Sequence, residues 1–288
     1  MGQPVTFTKM HGLGNCYIYL DGFKETFDES LFPNWAVQMS NPHTGIGSDG
    51  LIAILPSVQG AAKMRIFNKD GSEGKNCGNG LRCVARYLFE KGYVEQAQFP
   101  IETASGMVMA VIHEKHGEVV SVTVNMGQPI LEPEQIPMVT SVKTPVINQS
   151  FPILGDAYSL TAVSMGNPHA ILLVDDITHA PIHKLGPELA DGHELFPEGV
   201  NVGFVEWQGP NEARYRVWER GSAITQACGT GACAAAVALI LNQKAKKDES
   251  ILLHLDGGDL NVKWESETGN VLMTGPATTI CDGIFYTY

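Results

Sequence analysis

Two cysteines in this chain of 288 residues stand in the same setting. "CGNGLRCVARYLF" starts at Cys77 and "CGTGACAAAVALI" at Cys228, and each puts glycine one and three positions on, followed by helix formers. Cys77 and Cys228, Gly78 and Gly229, and Gly80 and Gly231 are each 151 positions apart. The first turn of a helix has unpaired N–H groups and a partial positive charge. A thiol there is expected to have a lowered pKa and to react as the thiolate. Neighbouring glycines let a ligand come close to the backbone, and the same N–H groups suit a carboxylate. One such turn reads as a tight helix entry with a buried thiol. Two in register point to one ligand approached from both sides.

The chemistry that uses such a pair is inversion at a carbon bearing hydrogen. A base takes the proton from one face while an acid delivers another to the opposite face. A thiolate and a thiol can fill these roles and exchange them for the reverse reaction. The carbanion-like transition state needs fixed dipoles beside its carboxylate, which two helix mouths can supply.

Strands must position these groups. "VTFTK", "CYIYLD", "GLIAIL", "KMRIFN", "GMVMAVIH" and "VVSVTVN" predict them through the first half, with one strong helix from Gly78 to a stop at Gly92. The second half repeats the plan with "HAILLVDD", "NVGFVEW", "ARYRVWE", a helix from Gly229, then "SILLHL" and "LNVKWE". The register also joins residues 64–67 to 215–218 and, with a one-residue adjustment, Gly14-Asn15 to Gly166-Asn167. Turn chemistry alone does not hold one register through a strand, a loop and a helix, so the chain reads as an internal duplication.

The expected class is α+β: two similar domains, each a mixed β-sheet wrapped around a central helix. "CAAAVALIL" is apolar on every side and must be buried all round. A Pro-rich stretch over residues 128–152 divides the halves. The expected domains are 1–128 and 129–275, with the strand-like segment 276–288 returning to the first and the active site in the cleft between them. "LFPNWAVQMSN" suggests a further helix near residue 35.

A net charge of -12 argues against non-specific nucleic-acid binding, which needs a basic surface. The amino terminus lacks a signal peptide's basic and apolar regions, and no apolar run is long enough to span a bilayer. A cytoplasmic location is expected, where a structural disulfide set is improbable. No CxxC pair occurs, the cysteine spacings do not suit zinc, and no metal site is expected. Cys16, Cys83, Cys233 and Cys281 read as small buried apolar residues.

"FTKMHGLGN", "NKDGSEGKNCGNGLRC", "SMGNPHA", "PEGVNV" and "WERGSAITQACGTGAC" appear in order along nearly the whole chain, which closely resembles the diaminopimelate epimerase family. The resemblance implies interconversion of L,L- and meso-diaminopimelate without pyridoxal phosphate or another cofactor, on the route to lysine and cell-wall cross-links. It implies Cys77 and Cys228 as the acid and base pair, and Gly78-Asn79 and Gly229-Thr230 as backbone segments binding the reacting carboxylate and amine. Glu219 and His169 match residues that tune the cysteines. Asn15, Asn68, Asn167 and Asn201 match substrate contacts, and Arg220 with Glu219 lies beside the substrate, the guanidinium on its distal carboxylate. By the same analogy the protein is a homodimer.

Amides that both donate and accept, plus a fork-shaped cation, suit a substrate with two carboxylates and two amines. Cys16 stands where an acidic residue is common, Gly50 where some members have glutamine, and Lys69 and Lys75 make the first loop more basic than many. The alternatives are a proline-type racemase with the same paired cysteines, a thiol redox protein, and a plain ligand-binding module.

Overall fold

The computed structural model describes residues 4–74 and 77–287, so Lys75 in the first cysteine loop lies outside the described residues. The chain divides into two compact units. One runs to Val124 and is taken up again from Thr274; the other spans Asn125–Met273.

In the first unit β1 (Pro4–Gly12) and β2 (Asn15–Asp21) form a hairpin, and β3 (Gly50–Leu55) joins β2 in parallel. Next, β4 (Ala62–Asn68) runs antiparallel to β3, carries the short β5 (Glu73–Gly74), and pairs in parallel with β6 (Gln98–Thr103). Then β7 (Gly106–Lys115) and β8 (Glu118–Asn125) continue the sheet antiparallel. Parallel neighbours need crossover connections, and α1 (Phe32–Ser40) and α2 (Gly78–Glu90) lie within the two crossovers.

The second unit starts with the antiparallel β9 (Gln149–Ile153) and β10 (Asp156–Ser164), and β11 (Pro168–Val174) extends them. From there it follows the same order of steps. β12 (Asn201–Gly209) is parallel to β11, and β13 (Glu212–Glu219) is antiparallel to β12 with the short β14 (Ala223–Ile224) beside it. β15 (Ser250–Leu255) is parallel to β13, and β16 (Gly258–Trp264) closes the run antiparallel. Its crossover helices are α3 (Ile182–Ala190) and α4 (Gly229–Leu241). The duplication is thus a duplication of topology. β17 (Val271–Gly275) leads to β18 (Thr278–Tyr286), which pairs antiparallel with β1.

All six residues of β3 are buried, because both faces of this strand are covered. On one side Leu51, Ala53 and Leu55 pack with Phe32, Trp35, Ala36 and Met39 of α1. Ile52 points the other way, toward α2 at Gly80. In the second unit Ile182, Leu185 and Leu189 of α3 pack with Leu172, Val202 and Phe204. The apolar α4 is fully buried from Ala232 to Leu239, as its composition requires. A helix of this length is marginal alone in water, so the enclosing sheet holds it. Each buried Val or Leu contributes about 1.5–3 kcal/mol.

Two expectations change. α3 is a helix that the sequence analysis does not include; it carries Gly186 and Pro187, and Gly186 is the contact point for Trp218, whose ring would meet a Cβ there at 2.5 Å. Cys83 and Cys233 are buried as expected, but Cys281 is exposed and Cys16 only half-buried. Among the described residues no helix is long and apolar enough to cross a membrane.

Candidate active site

Cys77 caps α2 in an extended backbone conformation, and its Sγ accepts the Gly80 N–H at 3.3 Å. Asn15 approaches from the end of the β1–β2 hairpin. Its Oδ1 accepts the Cys77 thiol at 3.6 Å and the Asn79 Nδ2 at 3.3 Å. The orientation of that amide is set by Asp49, whose Oδ2 accepts Asn15 Nδ2 and the Cys16 N–H, both at 2.8 Å. A carboxylate only accepts, so the amide nitrogen must face Asp49 and the oxygen must face the thiol. The Tyr17 hydroxyl also bonds Cys77. Asn68 stands apart, its Nδ2 given to Ser72 Oγ at 3.0 Å within its own turn.

Cys228 caps α4 in the same way, its Sγ accepting the Gly231 N–H at 3.4 Å and lying 3.5 Å from Thr230 Oγ1. Glu219, the last residue of β13, faces this sulfur, and the Thr225 hydroxyl donates to its Oε1. Arg220 is fixed by two bonds: its backbone N–H to Asn201 Oδ1 at 2.9 Å and its Nη1 to the Glu198 carbonyl at 2.6 Å. Gly199 makes this approach possible, since a Cβ there would meet Arg220 Cδ at 3.0 Å. Asn167 Oδ1 pairs with His169 Nε2 at 3.1 Å, and His169 stands in register with Asn201 on the neighbouring parallel strand.

The sequence thus places Asn15 and Asn79 with Cys77, and Glu219 and Thr230 with Cys228. Arg220 follows Glu219 along the backbone, and its N–H reaches Asn201 at the start of β12. Among the described residues His169 bonds to Asn167 and to no sulfur. Two participants were missed. Asp49 was visible in "GSDG", while Tyr17 reads only as a strand residue.

The expected lowering of the thiol pKa is corrected by the structure. The Gly80 and Gly231 N–H groups do favour the thiolates, but burial outweighs them. Burial pushes the Cys77 thiol up, and burial together with the Glu219 charge pushes Cys228 well above the usual thiol range. Cys16 is also raised, by burial and by Asp49, and is not activated. His169 is wholly buried, which holds its pKa down at about 3 and its ring neutral.

The family model described as diaminopimelate epimerase matches residues 7–132 and 161–280. A diaminopimelate epimerase of Geobacillus kaustophilus is 57% identical over 284 residues, covering 99% of this chain and 97% of the relative. One of Bacillus subtilis is 52% identical over 280 residues, covering 97% and 98%. Among solved structures, a PhzF-family phenazine biosynthesis protein of Bacillus anthracis has a TM-score of 0.71 at 15% identity, covering 99% of this chain and all of that one. A hydroxyproline epimerase of Agrobacterium vitis has a TM-score of 0.68 at 17% identity, covering 98% and 91%. The structural neighbours share the fold. The long match to the family model and the sequence relatives carry the conclusion: this chain belongs to the diaminopimelate epimerase family of isomerases.

Proposed function

We propose that the protein interconverts L,L- and meso-diaminopimelate by two-base proton transfer, with Cys77 and Cys228 acting on opposite faces of one α-carbon. The observation that carries this reading is the same cap built twice: a cysteine sulfur at a helix mouth, accepting the N–H three residues on, at 3.3 Å and at 3.4 Å. One cysteine acts as thiolate and takes the α-proton. The other, as thiol, delivers a proton to the opposite face, and the roles reverse for the reverse reaction.

Gly78, Asn79, Gly229 and Thr230 lie in the first turns of these helices, where backbone N–H groups favour a substrate carboxylate and the charge that develops on it. A substrate ammonium brought beside a buried thiolate offsets the charge that burial otherwise disfavours. Asn15, Asn68, Asn167 and Asn201 would contact the substrate, Arg220 would take the distal carboxylate, and Glu219 and His169 would tune the cysteines. The setting is the cytoplasm, in lysine and peptidoglycan precursor synthesis, and the working form is a homodimer. Ile280, Ile284 and Tyr286, exposed along β18, support an association surface.

The test is solvent-deuterium exchange at the α-carbon of L,L-diaminopimelate, with wild type, Cys77→Ser and Cys228→Ser. Wild type exchanges and epimerises, and each single variant loses epimerisation. Exchange with proline and none with diaminopimelate would replace this reading by the proline-type alternative.

A further inference from the structure

The two helix mouths are packed by different side chains at positions that the repeat aligns. In the first unit Ile52 on β3 fills the space beside α2, its Cδ1 2.6 Å from where a Cβ on Gly80 would stand. Met64 on β4 is buried nearby, in register with Ile54. The aligned residues of the second unit are Gly203 and Tyr215, and Tyr215 pairs with Val205 in the corresponding register. Ile52 is therefore replaced by a glycine and Met64 by a tyrosine.

The two replacements act together. A Cβ on Gly203 would come within 2.7 Å of the Tyr215 hydroxyl. A Cβ on Gly231 would land on that hydroxyl while standing 3.2 Å from the Cys228 sulfur. Glycine at both positions keeps a slot open through which the phenol oxygen reaches the mouth of α4. There the hydroxyl is buried and has no hydrogen-bond partner among the described residues. An unpartnered buried hydroxyl costs free energy that phenylalanine would not. Packing alone does not explain it.

We propose that Tyr215 is a positioning residue for Cys228, its hydroxyl held at the mouth of α4 as the hydrogen-bond donor that the sulfur takes up on becoming a thiolate. This rests on the reading of Cys228 as an acid–base group. Tyr17 serves Cys77 in the same manner from a strand that the repeat does not align with β13, and its hydroxyl is already engaged. The ionisable groups around Tyr215 are Cys228 and Cys233 of α4 and Glu219 of its own strand. Burial and these neighbours hold the phenol protonated, so it donates a hydrogen bond and transfers no proton. The proton exchanged by Cys228 goes to and from the substrate carbon. Where Glu219 disfavours the Cys228 thiolate, the phenol stabilises it.

The test is Tyr215→Phe, with each cysteine's alkylation by iodoacetamide followed separately across the alkaline range by peptide mass spectrometry. The expected result is a rise of about one pH unit in the Cys228 midpoint, or roughly tenfold slower alkylation at neutral pH. The Cys77 midpoint does not move, and the thermal midpoint is unchanged or higher. An unmoved Cys228 midpoint in the folded variant overturns the proposal, as does an equal displacement at both cysteines. If Tyr215→Phe does not fold, Tyr215→Met combined with Gly203→Ile copies the first unit's packing and is read against the same outcomes. No substrate enters the measurement, so its failure is distinguishable from failure of the exchange assay.

Discussion

Glu219 at the end of β13 faces Cys228 at the start of α4, and its charge adds to burial in keeping that thiol protonated. The position that the repeat aligns with Glu219 is Asn68 in the first unit, which brings no charge to Cys77. Cys77 is influenced instead by Arg82 of its own helix, fully buried, whose positive charge favours the thiolate. One structural plan therefore yields two chemically unlike thiols, one beside an anion and one beside a cation.

Replacing Glu219 by glutamine removes the anion and keeps the shape. The Cys228 thiolate then forms more easily, and its alkylation midpoint falls by about one pH unit or more. Epimerisation slows in at least one direction, because acid and base no longer differ as before. Alkylation rates across pH, resolved by cysteine, check this; a midpoint that rises would mean that Glu219 favours the thiolate.

Arg82→Met acts on the other mouth with opposite sign. Without the cation the Cys77 midpoint rises and Cys228 is unaffected. The Pro276 carbonyl, which accepts Arg82 Nε at 3.1 Å, also loses its donor. Leaving it unpaired costs about 1–3 kcal/mol, readable as a lower urea midpoint. A Cys77 midpoint that stays in place would remove Arg82 from the electrostatics of this site.

Much of this was legible in the sequence because the repeat is written in residue types with strong local meaning. Cysteine and glycine at Cys77–Gly80 and Cys228–Gly231 mark helix mouths, and the all-apolar run of α4 demands burial on every side. α3 was not legible, since a glycine and a proline inside nine residues both disfavour a helix, and only the Trp218 ring explains the glycine. The raised thiol pKa values were not legible either. A helix mouth is a local feature, whereas burial is supplied by strands distant in sequence. Tyr215 is the extreme case, because its meaning depends on glycines on two other elements.

Asp49→Asn tests how the first mouth is oriented. The carboxylate can only accept, which forces the Asn15 oxygen toward Cys77. An amide in place of that carboxylate can donate as well, so Asn15 is free to turn its nitrogen toward the thiol. A displacement of this kind at a reacting group costs roughly tenfold to a hundredfold in turnover. The expected pattern is a fall in kcat for Asp49→Asn, while Asp49→Glu stays near wild type only if the longer carboxylate still reaches Asn15. Unchanged turnover in Asp49→Asn would show that the amide orientation is set by other groups.

His169 predicts an acid limit to stability. Its wholly buried ring stays neutral in the native protein down to about pH 3, while in the unfolded chain it takes up a proton near pH 6.5. Between these values the unfolded state binds a proton that the native state does not. The histidine's contribution is therefore fully present above pH 6.5 and is lost as pH falls toward 3, by up to about 1.4 kcal/mol per unit. His169→Gln retains a side-chain N–H to meet Asn167 Oδ1 and cannot titrate. Urea unfolding at stepped pH should show wild type losing stability more steeply than His169→Gln below about pH 6. Parallel slopes for the two proteins would mean that the native imidazole takes up its proton as readily as the unfolded one.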